Sequence, residues 1–254
     1  MFFRVLTYNV HKGIGGLDRR YRPERVMEVV AHYEPDIAFL QEVDDGVPRS
    51  GFHCQVDMFA DALGFHHRAY QRNVRLAVGH YGNAIISRFP FTVLGDIDLS
   101  LPFKKRRQAL VVSADVHAAG HAIPVVLANV HLGLAGYERK MQLLRLLSHD
   151  YLQPAHDDVP IIIGGDFNDV WGRLGRRTLE PAGFANACGR IRTFPAAMPL
   201  RPLDRFYHRG PVTVDDVFAG HAQICRHASD HLPLIADFKL TNGKFQNRGL
   251  APRG

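Results

Sequence analysis

Five oxygen-bearing residues scattered along the chain suggest one kind of chemistry. Glu42, Asp166 and Asp230 are carboxylates, and Asn9 and Asn168 are amides. An all-oxygen set suits hard divalent cations, above all magnesium, with manganese able to substitute, and it does not suit zinc. A few carboxylates with open water positions is the pattern by which magnesium is shared with a substrate phosphate. Two histidines, His131 and His231, accompany the set. His231 directly follows Asp230, and a histidine beside an aspartate can stay cationic near neutral pH and bind a phosphoryl oxygen.

These residues stand where apolar segments turn polar. TYN ends one segment at Asn9, LQEV a second at Glu42, ANVH a third at Asn129 and His131, and GGDFND a fourth at Asp166 and Asn168. In layered α/β folds, rigid strands present side chains from their ends into a shared crevice. The Gly164-Gly165 pair removes side-chain bulk just before the acid and permits close backbone approach.

The elements that must position them follow from periodicity. Strands are expected over 3–10, 36–43, 81–90, 91–99 and 159–167, with two more over 108–117 and 123–132 joined as a hairpin through AAGHA. The stretch 203–220 reads as two strands around a Gly-Pro turn, and 231–240 as a final strand. Helices are expected over 22–34, with Val26, Val29, Val30 and Tyr33 on one face, around 54–63, and over 136–152 with Leu143, Leu144 and Leu147 facing in. Strands outnumber helices, which predicts a mixed α/β chain. Residues 1–240 read as one domain, and 241–254 as a disordered basic tail.

The chain has 254 residues and is 46% hydrophobic, enough for one large core. No apolar run is long enough to span a membrane, so stable membrane insertion is not expected. The N-terminus lacks the pattern of a signal peptide. Three cysteines without CxxC spacing argue against a disulfide framework and fit a cytoplasmic protein. The net charge of +6 invites a nucleic-acid reading, although Lys244, Arg248 and Arg253 of the tail supply part of it. Two basic clusters remain, Lys104 to Arg107 and then Arg173, Arg176 and Arg177. Either could meet phosphates or be a solvated surface run.

The ordered motifs TYN, LQEV, GNAIISRFP, NVHLG, GGDFND, LDRFY and SDHLPL resemble the endonuclease/exonuclease/phosphatase superfamily, the DNase I-like metal-dependent phosphodiesterases. The start TYNVHKG and the stretch RTFPAAMPLRPLDRFY resemble a bacterial subgroup related to the sphingomyelinase-like branch. The resemblance implies a four-layer α/β/β/α sandwich, two mixed sheets face to face with helices outside. It implies that Glu42 is the principal metal ligand, with Asn9 beside it. Asp166 corresponds to the carboxylate that orients or deprotonates the attacking water, and Asn168 to the amide that holds the scissile phosphate. His131 corresponds to a phosphate contact or leaving-group aid. Asp230 supports the metal or orients His231, which stabilises the pentacovalent phosphate. Asp204 polarises a neighbouring site residue, and Asn83 and Arg107 line the phosphate pocket.

Singly, each residue has a plainer reading. Asn9, Asp166 and Asn168 could cap turns, Glu42 could be a surface acid, and either histidine could be structural. Asp204 could pair with Arg205 or Arg201, Asn83 could be a turn residue, and Arg107 part of a surface run. Their ordered series is what favours a site. Trp171 is assigned to core packing, and His66, His67, His121 and His227 to the surface. Three functions stand open: a magnesium-dependent nuclease, a phosphodiesterase or phosphatase for a lipid headgroup or another small phosphorylated molecule, and a catalytically inactive binding scaffold. The first is preferred, in a monomeric protein.

Overall fold

A computed structural model describes residues 1–118, 121–153 and 158–241. The AAGHA link at 118–122 falls partly outside these, and the basic tail almost wholly so. Twelve strands form two six-stranded sheets. The first contains β1 (Phe2–Asn9), β2 (Ile37–Asp45), β3 (His67–Arg75), β4 (His80–Ser87), β11 (Val212–Ala219) and β12 (Leu234–Leu240), in the order β11-β12-β1-β2-β4-β3. The second contains β5 (Phe91–Asp98), β6 (Gln108–Ala118), β7 (His121–His131), β8 (Ile161–Asp166), β9 (Ala185–Asn186) and β10 (Asp204–Arg209), in the order β5-β6-β7-β8-β10-β9. The pairs β1/β2 and β7/β8 are parallel and the other pairings are antiparallel.

The two sheets pack face to face through Val5, Ile37, Phe39, Ile85 and Phe238 on one side and Leu110, Val112, Leu127, Ile162 and Phe206 on the other. All are buried, and each such side chain is worth roughly 1.5–3 kcal/mol relative to exposure. The first sheet's outer face is covered by α1 (Pro23–Tyr33), α2 (Gln55–Leu63) and α5 (Cys225–Ala228). The second sheet's is covered by α3 (Gly136–Leu147) and the segment around α4 (Leu174–Thr178). This is the expected four-layer sandwich. The strands are buried on both faces, which is why so many read as continuous apolar runs.

Several details differ from the sequence reading. β3 was not foreseen, because HRAYQRNVR is polar and its exposed positions break the alternation. The two strands expected in 203–220 are present on either side of the Gly-Pro link, and that link crosses from one sheet to the other. In α3, Leu143 and Leu146 are buried while Leu144 faces out, because the helix is rotated to place Leu146 against the outer face of the second sheet. Asn129 is not at the rim. Its amide donates to the carbonyls of Leu40 and Ala84 and accepts from Gln41 at 2.8 Å, tying one sheet to the other. Trp171 is 67% exposed and not in the core. The tight turn after Asp166 carries it outward, with Gly172 bonded to Asp169 and lying against the buried Arg205.

Candidate active site

The parallel pairs place the site. β1 and β2 run side by side in the first sheet, and β7 and β8 in the second, so Asn9, His131 and Asp166 emerge at strand ends. His131 sits opposite Asp166 in the β7/β8 register, and Asp204 opens β10 directly across from Asp166. β12 runs antiparallel to β1, with Leu234 opposite Thr7, so His231, just before β12, arrives beside Asn9. One residue from each of five chain segments therefore meets at a common rim.

The two glycines of GGDFND have separate structural causes. A Cβ at Gly164 would lie 2.5 Å from the Phe206 ring and 2.9 Å from Phe39, so the close packing of the sheets excludes one. Gly165 has φ of +142° and its Cβ would meet the Val130 carbonyl at 1.9 Å. Together they bring β8 tight against its neighbours, and Asp166 ends 1% exposed.

Asp166 is the hub. Its Oδ2 accepts from Asn9 Nδ2 at 3.1 Å and lies 3.5 Å from His131 Nε2 and 3.8 Å from His231 Nε2. Its Oδ1 accepts from the Asn168 backbone amide at 2.9 Å, and Asn168 takes a left-handed φ of +50° to close that turn. The Asn168 side chain donates to the Leu132 carbonyl at 2.9 Å. His231 Nδ1 is hydrogen-bonded to Asp204 Oδ2 at 2.8 Å, and Thr193 Oγ1 donates to the same oxygen. Asp204 thus pairs with His231 and Thr193, not with Arg205 or Arg201.

Burial and charge set the protonation pattern. Burial alone would lower the His231 imidazole, but Asp204 and Asp166 hold it protonated, up to about 10. Burial, reinforced by Arg107, lowers His131 well below the ordinary value and keeps it neutral. Burial lifts the Asp166 carboxyl to about 6 against the pull of His231. One histidine is therefore a cation, the other a neutral ring, and the carboxylate between them titrates close to neutrality.

Glu42 stands on the neighbouring side. It does not end its strand. A β-bulge between Leu40 and Val43 turns it out of the ladder at φ of +59° while β2 continues to Asp45, a device that re-aims side chains near sites. Lys12 Nζ is paired with Glu42 Oε2. Burial would raise the Glu42 carboxyl, but the Lys12 ammonium outweighs it and brings it down to about 2. Asp230 lies 3.9 Å from His11 Nδ1, and Ser229 donates to the Asn9 carbonyl at 2.6 Å, stitching the His231 loop to the end of β1.

These groups can be tested against a hard cation. Asp166, Asp204 and His231 lie within 4.8 Å of one another, but a protonated His231 engaged by Asp204 has no lone pair to give. The oxygen donors on the other side fit better. Glu42 is ionised, and Lys12 already supplies it with the positive charge that a bound cation would otherwise supply.

Two expected substrate contacts are both buried. Arg107 is 6% exposed, its Nε has no hydrogen-bond partner, and it acts on both His131 and Tyr81, so it belongs to the rim. Asn83 is fully buried in β4 opposite the Glu42 bulge, donating to Gln71 Oε1 at 3.3 Å and to the Gln108 carbonyl at 3.4 Å, and it ties β4 to the second sheet beside Arg107. Sequence reasoning missed Lys12, His11, Thr193 and Ser229 as supports. The VHKG that follows TYN was the available signal for the first two. A cleft of about 530 Å³ lined by Asp45, Arg68, Arg72 and Asp96 lies elsewhere and contains none of the candidate catalytic residues.

The chain is 34% identical over 251 residues to the uncharacterized protein YbhP of Escherichia coli (strain K12), covering 94% of this chain and 96% of that one. Its fold matches a crystal structure of an endonuclease/exonuclease/phosphatase from Beutenbergia cavernae with a TM-score of 0.76 at 24% identity, over 95% of this chain and 72% of that one. It also matches D. rerio TDP2, solved with a single strand DNA product, with a TM-score of 0.66 at 20% identity, over 94% and 99% of the two chains. The profile of the Endonuclease/Exonuclease/phosphatase family matches residues 6–231, and the chain belongs to that family.

Proposed function

We propose that this protein is a magnesium-dependent phosphodiesterase that hydrolyses its substrate by attack of water, and that the substrate is nucleic acid. The observation that carries the reaction is the bridging of Asp166 and Asp204 by a cationic His231 beside a neutral His131. Phosphodiester hydrolysis needs a base for water, positive charge on the equatorial oxygens and help for the leaving alkoxide. Asp166, lifted toward the operating pH by burial, is matched to take the proton from water. Asn9 fixes its orientation. His231 offers Nε2–H to a phosphoryl oxygen while Asp204 holds its other nitrogen. Asn168 holds the phosphate through the second hydrogen of its amide, and Asp230 supports the His231 loop. His131 contacts the leaving group's side. Glu42, with Asn9 and Asp230, would hold the magnesium, which when bound neutralises charge developing on the phosphate and alkoxide oxygens.

Nucleic acid is favoured by the exposed arginines of α4, Arg176 and Arg177, directly after the site, and by exposed Trp171, free to stack on a base. A phospholipid-headgroup diesterase is the second reading, favoured by the small net charge of the body and by the resemblance to the sphingomyelinase-like branch. An inactive scaffold would leave the shifted pKa pattern without use.

An activity panel with magnesium and manganese separates these. It comprises plasmid DNA, RNA, phospholipid vesicles and bis-p-nitrophenyl phosphate, each with wild type and Asp166→Asn. Metal-dependent cleavage by wild type alone is expected. Equal activity in both proteins, or none on any phosphodiester, sinks the reading. Binding of an oligonucleotide should weaken steeply with salt and should change the emission of Trp171, the chain's single tryptophan. Cleavage of lipid alone, with no salt dependence, assigns the second reading.

A further inference from the structure

Next to the catalytic centre, on its Glu42 and His131 side, four cations gather around one buried phenol. Lys105 Nζ lies 4.5 Å from the centre of the Tyr81 ring and donates to its hydroxyl at 3.2 Å. Lys12 Nζ lies 5.7 Å from the same ring and the Arg49 guanidinium 5.9 Å. Burial pushes the Tyr81 phenol up to about 12, and the nearby Arg107 guanidinium opposes that rise. The topology explains the gathering. Tyr81 opposes Asp44 in β4, two residues past the Glu42 bulge. Arg49 sits in the turn that follows β2, and Lys12 in the turn that follows β1. Ala109 opposes Val130, which puts Arg107 off the end of β6 beside His131.

The charges do not cancel. Arg49 is engaged by Asp44 through two hydrogen bonds of 2.7 and 2.8 Å, and Lys12 by Glu42. Among the described residues, Lys105 and Arg107 have no carboxylate partner, and the Nε of Arg107 is a buried donor left unsatisfied. A guanidinium Nε buried without a hydrogen-bond partner is costly. A planar cation and an ammonium converging on one point form a site for a phosphate group.

We propose that Lys105, Arg107, Lys12 and Arg49 form a second anion subsite around Tyr81, separate from the seat of the scissile phosphate, that takes a dianionic phosphate. That phosphate is either a terminal phosphomonoester carried by the substrate or free orthophosphate. The first attachment rests on the hydrolase reading and the binding itself does not. A cation taking over Glu42 would free Lys12 for this subsite, so occupancy of the metal site and of the subsite reinforce each other.

Inorganic phosphate titrated into metal-free protein tests the subsite without turnover, with amide and side-chain NMR shifts as the readout. Shifts are expected at Lys12, Tyr81, Lys105 and Arg107. Lys105 is exposed, so Lys105→Ala should fold normally and weaken phosphate at least roughly tenfold, the loss of one charge-assisted hydrogen bond. Lys105→Arg should restore most of it, and Asp166→Asn should bind as wild type does. Shifts centred on Arg173 to Arg177, or unchanged affinity in Lys105→Ala, overturn the proposal. The source is read separately from two chromogenic diesters, p-nitrophenyl thymidine 5′-phosphate with and without a 3′-phosphate. A KM at least tenfold lower for the 3′-phosphorylated compound, lost in Lys105→Ala, assigns the phosphate to the substrate. Equal KM values for the two diesters, with the orthophosphate-induced shifts at Tyr81 and Lys105 retained, assign it to the free ion. Failure of the hydrolase reading would appear as no turnover of either diester, with phosphate binding intact.

Discussion

The ring of His231 bridges two carboxylates of the opposite sheet, with Nδ1 2.8 Å from Asp204 and Nε2 3.8 Å from Asp166. His231 precedes β12 of the first sheet, while Asp204 and Asp166 face each other on β10 and β8 of the second. Its raised pKa is the electrostatic record of that crossing. The raised value means that the pairing stabilises the folded protein fully below the unfolded histidine's pKa near 6.5, and that this stabilisation is lost as pH rises through about 10. The Hε1 resonance of His231 in metal-free protein should therefore stay flat between pH 6 and 9, and Asp204→Asn should bring its titration down toward neutrality. A His231 that titrates near 6.5 in wild type would remove the cation from the proposed mechanism.

Asp166→Asn and His231→Ala should each lower turnover of a phosphodiester by on the order of 10²-fold or more, because each removes a proton acceptor or an oxyanion partner that acts in the transition state. Circular dichroism and thermal melts should show both variants folded. Near-normal turnover by either would refute its role. In the wild type, activity should rise with pH through the acid range as Asp166 ionises near 6.

Glu42→Gln should weaken magnesium or manganese binding by roughly 10-fold or more, as loss of a ligand or its direct support does. Isothermal titration reads this directly, with chelator-treated protein as the reference. Chelation should abolish hydrolysis and readdition of magnesium should restore it. Unchanged affinity in Glu42→Gln would move the metal to the Asp166, Asp204 and His231 group.

Gly165→Ala should cost about 1–3 kcal/mol or more, because the added methyl meets the Val130 carbonyl at 1.9 Å and the backbone lies at φ of +142°. Urea unfolding gives the number. A neutral effect would show that β7 and β8 are free to separate, and would remove the reason Asp166 is held so close to His131.

What was legible in the chain was whatever depends on type and order. Apolar runs that end in Asn9, Glu42, His131 and Asp166 announced buried strands with a shared polar rim. What was illegible depends on register and on contacts distant in sequence. Nothing in LQEV says that a bulge turns Glu42 outward inside a longer strand. Nothing local distinguishes Asn129, which joins the sheets, from His131 two residues on, which faces the rim. Asn83 and Arg107 looked equivalent as phosphate contacts, yet the Asn83 amide is held by Gln71 and Gln108 while the Arg107 Nε is left without a partner. Trp171 looked like a core residue because its type is apolar, while the turn at Gly172 sends it to solvent.

The amide pair of Gln41 and Asn129 has a mechanical meaning. Greasy surfaces can glide over one another with little penalty, since methyl and phenyl contacts are forgiving in direction. A hydrogen-bonded amide is not forgiving, and this one sits in the middle of the sandwich, with Asn129 also gripping the carbonyls of Leu40 and Ala84. It works as a dowel, pinning the two halves of the rim in alignment.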